Sequence, residues 1–361
     1  MSVALLVPEW IRVRRSTIAM VPSTLPTVHS TEAGSELVQL PYSGTRSGSE
    51  LAVVWNAVDN ALPTSPAKCS FSPQQRQLPG RISRLAHEIL TLRAKSQNTF
   101  NGKLVRQDDD LDGDLLMDGG TVRLSRTDYF SMMCSNYLTG WQVLDRQTGS
   151  ELVDGGKLII RDGKIIPLTD SWQANAIGVS TLAFTSDGKL VLTLQGARSA
   201  SEPGLFAPAG SGSVDLRDVK RHRGGQRALV EFLACAMQRE LVEESNIRYH
   251  DIAWTEVLGY FRWLNKGAKP EYVGVTLLKL SADELFGRDV RLVETPFVQR
   301  LEFDGKLDLA ELRRDPASLL ALEDRFRDQV SMPLYMGLRA LGRALGRGDE
   351  MALRLSALTP L

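Results

Sequence analysis

Gly225-Gln-Arg-Ala-Leu-Val-Glu231-Phe-Leu-Ala-Cys-Ala-Met-Gln-Arg239-Glu240-Leu-Val-Glu243-Glu244-Ser-Asn246-Ile247 is the stretch on which the reading of this chain turns. Glu240, Glu243 and Glu244 stand at i, i+3 and i+4, so a helix projects all three carboxylates from one face. Like charges at that spacing repel, and a bare helix loses stability there. A hard divalent cation reverses the sign of that interaction, because Mg²⁺ prefers oxygen ligands and completes its shell with substrate phosphates. Arg239 is placed to hold the acids, either through Glu243 one turn on or through Glu231 across the loop. Phe232, Cys235, Ala236 and Leu241 supply apolar faces for the same helix. Asn246 falls where the helix ends in a left-handed residue, a position for which asparagine is second only to glycine. Gly224-Gly225 lets the backbone turn sharply and bring a carbonyl towards a metal.

The flanks of this stretch read as strands and tight turns. Lys157–Leu168 holds Asp162-Gly163 between two β-rich runs, and Gly178–Gln195 repeats the device at Asp187-Gly188; both predict hairpins. Strand-like runs follow around Ile252–Trp263, Glu271–Leu280 and Val298–Phe303. Helical patterns then cover Leu309–Arg313, Leu319–Val330 and Pro333–Arg347. Upstream, residues 81–95 space Ile82, Leu85, Ile89 and Leu92 as an amphipathic helix, and a short helix is expected over 128–138, capped by Ser125 or Thr127. The sum is an α+β fold, a mixed sheet packed between helices. Residues 1–80 read as a loosely ordered extension with a strand near Leu51–Trp55, 81–120 as a helical linker region, 121–305 as the central domain and 306–361 as a helical C-terminal segment.

Three acidic residues alone would be a solvated helix face. The whole pattern, G-x5-E-x7-R-E-U-x-E-E-x-G-U with U aliphatic, is far more specific, and every fixed position matches except the last glycine. In this it resembles the Nudix hydrolase family. The resemblance implies a Nudix-like mixed sheet between helices and hydrolysis of a phosphoanhydride in a nucleoside-diphosphate-linked substrate. It further implies a cofactor, Mg²⁺ or Mn²⁺, held by Glu240, Glu243, Glu244 and the Gly225 carbonyl. Glu240 would be the general base, with Arg239 and Glu231 as orienters. A further base or ligand is sometimes drawn from a later loop, for which Glu271, Asp283 and Glu284 are candidates. The alternative is a catalytically inactive domain of the same kind acting as a nucleotide sensor or interaction module.

Around the box, Arg198 and the Gly/Ser stretch at 209–213, with Ser211 and Ser213, are candidates to cradle phosphate, as are His222 and Arg223. Asp108–Gly113 looks like the first half of a calcium loop, but Gly119 stands where its last carboxylate belongs, so a solvated acidic turn is the expectation. Lys and Arg equal Asp and Glu at 43 each, so no global field draws the chain to nucleic acid or to membrane. Three separated cysteines give neither a disulfide framework nor a zinc pattern. No segment has the length of a membrane helix, and a cytoplasmic location is expected. The Leu face of 333–347 is read as packing on the domain, or in a homodimer on a second subunit.

Overall fold

The computed structural model describes residues 16–25, 28, 34–41, 49–93, 100–195, 204–220, 227–245, 247–288, 298–304 and 329–347. Strands β1 (Ile18–Pro22), β2 (Ser35–Pro41) and β3 (Ser49–Trp55) precede helix α1 (Asn56–Ala61) and strand β4 (Lys68–Gln75). Helix α2 (Gly80–Arg93), β5 (Lys103–Gln107), α3 (Gly113–Met117), β6 (Thr121–Asp128) and α4 (Tyr129–Met133) follow. Next come β7 (Trp141–Asp145), β8 (Glu151–Asp154), β9 (Ile160–Arg161) and β10 (Lys164–Ile165). The central part runs β11 (Gly178–Phe184), β12 (Leu190–Gln195), β13 (Phe206–Pro208), β14 (Gly210–Ser213), α5 (Leu216–Lys220), β15 (Arg227–Ala228) and α6 (Leu229–Ser245). It continues through β16 (Ile252–Trp263), β17 (Lys269–Leu278), α7 (Ala282–Phe286), β18 (Val298–Asp304) and α8 (Met332–Arg347).

The fold is α+β. Its main sheet has the order β13-β12-β11-β17-β16-β3-β2, with β14 also paired to β11 and β18 to β12. Only β11 and β17 run parallel within it, Gly178 to Phe184 lying beside Glu271 to Leu277. Because successive side chains alternate across a sheet, β11 serves two cores. Val179 packs with Leu229, Phe232, Leu233 and Met237 of α6. Leu182 and Phe184 pack on the opposite face with Leu334, Leu338 and Leu341 of α8. One helix on each face buries both sides of the sheet.

Both expected hairpins form. Asp162 (φ 53°) and Gly163 (φ 74°) are both left-handed, as a two-residue turn between Arg161 and Lys164 requires. The second turn is wider, with Gly188 at φ 80° and Phe184 paired to Leu190. The helix expected at 128–138 is shorter, Tyr129–Met133, and Asp128 caps it by accepting from the Ser131 N–H at 2.8 Å. Ser125 and Thr127 lie inside β6 instead.

The N-terminal region departs most from expectation. Its described residues are not a loose arm: β3 pairs with β16 and with β2, and β4 pairs in parallel with β6. Its Ser, Thr and Pro content hides short strands whose partners are distant in sequence, which local periodicity does not report. The acidic run is clamped rather than solvated. Asp108 pairs with Arg106, Asp109 with Arg123 at 2.5 Å and Asp110 with Arg262 at 3.0 Å. Helix α8 packs on its own domain, and its other side reaches α1 and β2 through Arg343–Asp59 and Arg339–Glu36. The helices expected at 309–313 and over most of 319–330 lie outside the described residues. No helix among those described is long and apolar enough to cross a membrane.

Candidate functional site

Helix α6 forms because Leu229, Phe232, Leu233, Ala236, Met237 and Leu241 recur at helical spacing, and all six are buried. Burying that face fixes the rotation of the helix about its axis, and the rotation decides where the acids point. Glu240 and Glu244 turn inward and are 6 % and 5 % exposed. Glu243 stays partly in solvent, with its side chain 23 % exposed.

Strand β14 lies against this acidic face and its composition permits the contact. A Cβ on Gly210 would stand 2.8 Å from the Leu241 Cα. One on Gly212 would stand 2.5 and 2.6 Å from the two carboxylate oxygens of Glu240. Only glycine lets the strand pass so close to the helix. The Ser211 N–H, on the same strand, donates to Glu244 Oε2 at 2.9 Å. The stretch read as a phosphate-cradling loop is therefore a strand. Ser211 Oγ pairs with Ser180 Oγ at 2.9 Å, and the Ser213 carbonyl accepts from Arg239.

Arg239 organises the cluster. Its side chain is 2 % exposed. Nε and Nη2 donate to the two oxygens of Asp218 at 2.8 and 2.9 Å. Nη1 donates to Glu243 Oε2 at 2.9 Å and stands 2.9 Å from Glu240 Oε1. The planar fork of arginine suits this two-point grip on a carboxylate. Burial alone would lower the Arg239 pKa, but Glu240, Asp218 and Glu243 outweigh it and hold the guanidinium above its ordinary value. Arg217 adds a second cation 3.3 Å from Glu243 Oε1.

Asp218 was not among the residues singled out in the sequence, and it holds the place expected of Glu231. The Glu231 side chain is 69 % exposed and among the described residues meets only Arg227, at 3.8 Å. It lies two helical turns before Arg239 on a side that the buried face turns to solvent. Asp218 comes instead from α5 and is 1 % exposed. One signal for it exists in the sequence: Gly212 and Asp218 stand at the same G-x5-acid interval as Gly225 and Glu231.

The three candidates for a later base or ligand do not join the cluster. Glu271 lies on the other face of the sheet, buried and paired with Lys269 at 2.5 Å. Burial pushes its pKa up, and Lys269 offsets part of the rise. Its carboxylate occupies the space where Gly178 lacks a side chain. Asp283 and Glu284 lie in the first turn of α7, where Glu284 closes a capping box with Ser281. Arg198, His222, Arg223, Gly225 and Asn246 lie outside the described residues.

The donor set fits a hard divalent cation in kind. It offers carboxylate oxygens only, and the acids outnumber the guanidiniums paired with them. In position, Glu240 and Glu243 turn to Arg239, and among the described residues no three acidic, His or Cys groups are gathered about one point.

No family model and no curated protein matches the chain. Among solved structures it is similar to DR0079 from Deinococcus radiodurans, with 15 % identity and a TM-score of 0.29. That match covers 45 % of this chain and 81 % of the other, a likeness too slight to carry any inference.

Proposed function

We propose that the chain is a metal-dependent hydrolase of the Nudix type, acting on a phosphoanhydride in a nucleoside-diphosphate-linked or related small molecule. The observation that carries this reading is the Arg239 clamp. A buried guanidinium gripped by Asp218 holds two of the three box glutamates, and the third is fixed by a backbone N–H. Such an array is costly as mere architecture, since desolvated charges cost several kcal/mol each unless fully paired. Groups so arranged are typical of functional sites.

Glu240, Glu243 and Glu244 would hold Mg²⁺ or Mn²⁺, and Gly212 lies beside Glu240. The bound cation supplies neutralisation of charge on the phosphate oxygens. Glu240 is the group we assign to accept the proton of the attacking water. Arg239 sets the orientation of Glu240 and Glu243, and Asp218 sets that of Arg239. Ser211 positions Glu244 through its backbone, so its side chain is not required for substrate.

Glu244→Gln tests the reading. It keeps the hydrogen bond from Ser211 but removes one negative charge. Turnover of nucleotide sugars, dinucleotides or nucleoside triphosphates with Mg²⁺ or Mn²⁺ should fall roughly a hundredfold, the scale of losing about 3 kcal/mol of transition-state stabilisation. Without metal the variant should melt no lower than wild type, because repulsion among the acids is relieved. Wild type that gains no stability from either metal, beside a variant that melts lower, would favour the sensor or interaction-module reading.

A further inference from the structure

A cleft of about 580 Å³ opens beside the parallel strands β4 and β6, against Ser70–Ser72 and Gln74–Arg76 on one side and Arg123–Ser125 on the other. It shares no lining residue with the Arg239 cluster, and its own construction points to a ligand. The β4–β6 ladder shifts register between Ser72 and Gln75 while β6 advances only from Ser125 to Arg126. Pro73 and Gln74 therefore leave the ladder at the cleft, and such interruptions recur where a sheet builds a site. Phe71 gives the lining an apolar surface, and Ser72 and Ser125 give it hydroxyls.

The charges are unevenly matched. Asp108 lines the cleft and is fixed from behind, its Oδ1 accepting from Ser125 Oγ at 3.0 Å and from Arg106. Arg106 is fully buried and also donates to the carbonyls of Leu168, Ser171 and Gln173. Arg123, at the rim, is held by Asp109. Arg76, also in the lining, pairs with no carboxylate among the described residues. Burial first, then the nearby Arg76 and Arg262, depresses the Arg106 pKa to about 9. Arg106 and Arg262 are met by Asp108 and Asp110, which leaves Arg76 as the cation of the lining that an anion could pair with.

We propose that this cleft binds a small phosphate ester with a hydroxyl-bearing body, its phosphate on Arg76 and its hydroxyls on Asp108, Ser72 and Ser125. Arginine matches phosphate in a two-point fork, and a buried-sided carboxylate that already accepts from a serine can accept from a sugar hydroxyl as well. The volume suits a molecule of sugar-phosphate or mononucleotide size. The proposal does not rest on the hydrolase reading.

Isothermal titration of the full chain with ribose 5-phosphate, AMP and ribose tests it. None of the three contains a phosphoanhydride, so none is turned over by the proposed hydrolysis, and with metal omitted the Glu240→Gln arm separates this cleft from product binding at the Arg239 cluster. Both esters should bind at least about tenfold more tightly than ribose. Arg76→Gln should weaken them roughly tenfold, Arg76→Lys should recover part of the loss, and Glu240→Gln should change nothing. Arg76 is exposed, so neither Arg76 variant should alter melting. Equal binding of ribose, indifference to Arg76→Gln, loss of binding in Glu240→Gln, or no ester binding up to about 10 mM would each overturn it.

Discussion

Gly212–Asp218 and Gly225–Glu231 carry the same interval of glycine and acid, thirteen residues apart in register, and the fold treats their acids in opposite ways. Asp218 is 1 % exposed and grips Arg239 at two points. Glu231, with its side chain 69 % exposed, pairs only with Arg227 among the described residues. The spacing of a motif is a coordinate along the chain. Which acid reaches the arginine depends on how α6 is rotated by its buried face, and on α5 and β14 delivering a second acid from the other side. Residues 219–230 separate the two solutions, and only the packing chooses between them.

Exchanging each acid for its amide separates the two most strongly. Asp218→Asn leaves the buried Arg239 with half its grip, and removing one partner of a buried pair costs about 3–5 kcal/mol. Metal-dependent turnover should fall about a hundredfold, since Glu240 loses its orientation along with Arg239. Glu231→Gln should leave both stability and turnover near wild type, as surface pairs contribute about 0–1 kcal/mol. Chemical denaturation and kinetics on the two variants decide. Equal damage from both, or damage from Glu231→Gln alone, would mean that the sequence interval and not the observed clamp is the working one.

Gly212→Ala sharpens the same contrast with a smaller effect. The added Cβ would overlap the Glu240 carboxylate, so Glu240 must swing away or the strand must yield, at roughly 1–3 kcal/mol for an overpacked contact. We expect about a tenfold loss of turnover with little change in KM, since the substitution disturbs a group of the chemical step rather than substrate binding. Ser211→Ala should change neither parameter. A raised KM in Ser211→Ala would restore the view of this stretch as a substrate cradle.

Much of the fold could be read locally. The hairpin at Asp162-Gly163, the strands β16 and β17 and the helices α2, α6 and α8 all follow from turn chemistry or periodicity within one element. So did the acidic face of α6. What escaped were long-range pairings: β3 on β16, β4 on β6, and Asp218 on Arg239. A strand shows its side-chain alternation but not its partner, and the Ser- and Pro-rich run from 68 to 75 shows little even of that. The glycines of β14 misled for a related reason. Glycine serves a phosphate loop and a close helix–strand approach alike, and only the position of Leu241 and Glu240 above the strand separates the two.

The smallest effect on turnover is expected at a third buried carboxylate, Asp59, which contrasts with Asp218 in how its charge is met. Asp59 is 3 % exposed. It accepts from the Tyr260 N–H at 2.8 Å and pairs with Arg343 of α8 at 2.5 Å. Burial nevertheless wins over Arg343 and the Tyr260 bond, and raises its pKa from 3.8 to about 6. The folded chain therefore holds this proton more tightly than the unfolded one. Stability from Asp59 is fully present below pH 3.8 and is lost as pH rises through about 6. With about 1.4 kcal/mol per pKa unit, that loss is at most about 3 kcal/mol. Asp59→Asn mimics the protonated form and keeps an acceptor for Tyr260. It should melt above wild type at pH 7 and equal it near pH 4, with turnover unchanged, because Asp59 is met by the Tyr260 N–H and Arg343 and not by the Arg239 cluster. A variant that melts lower at pH 7 would show that the charge pair with Arg343 outweighs burial, and that the N-terminal region is fastened to α8 by the ionised form.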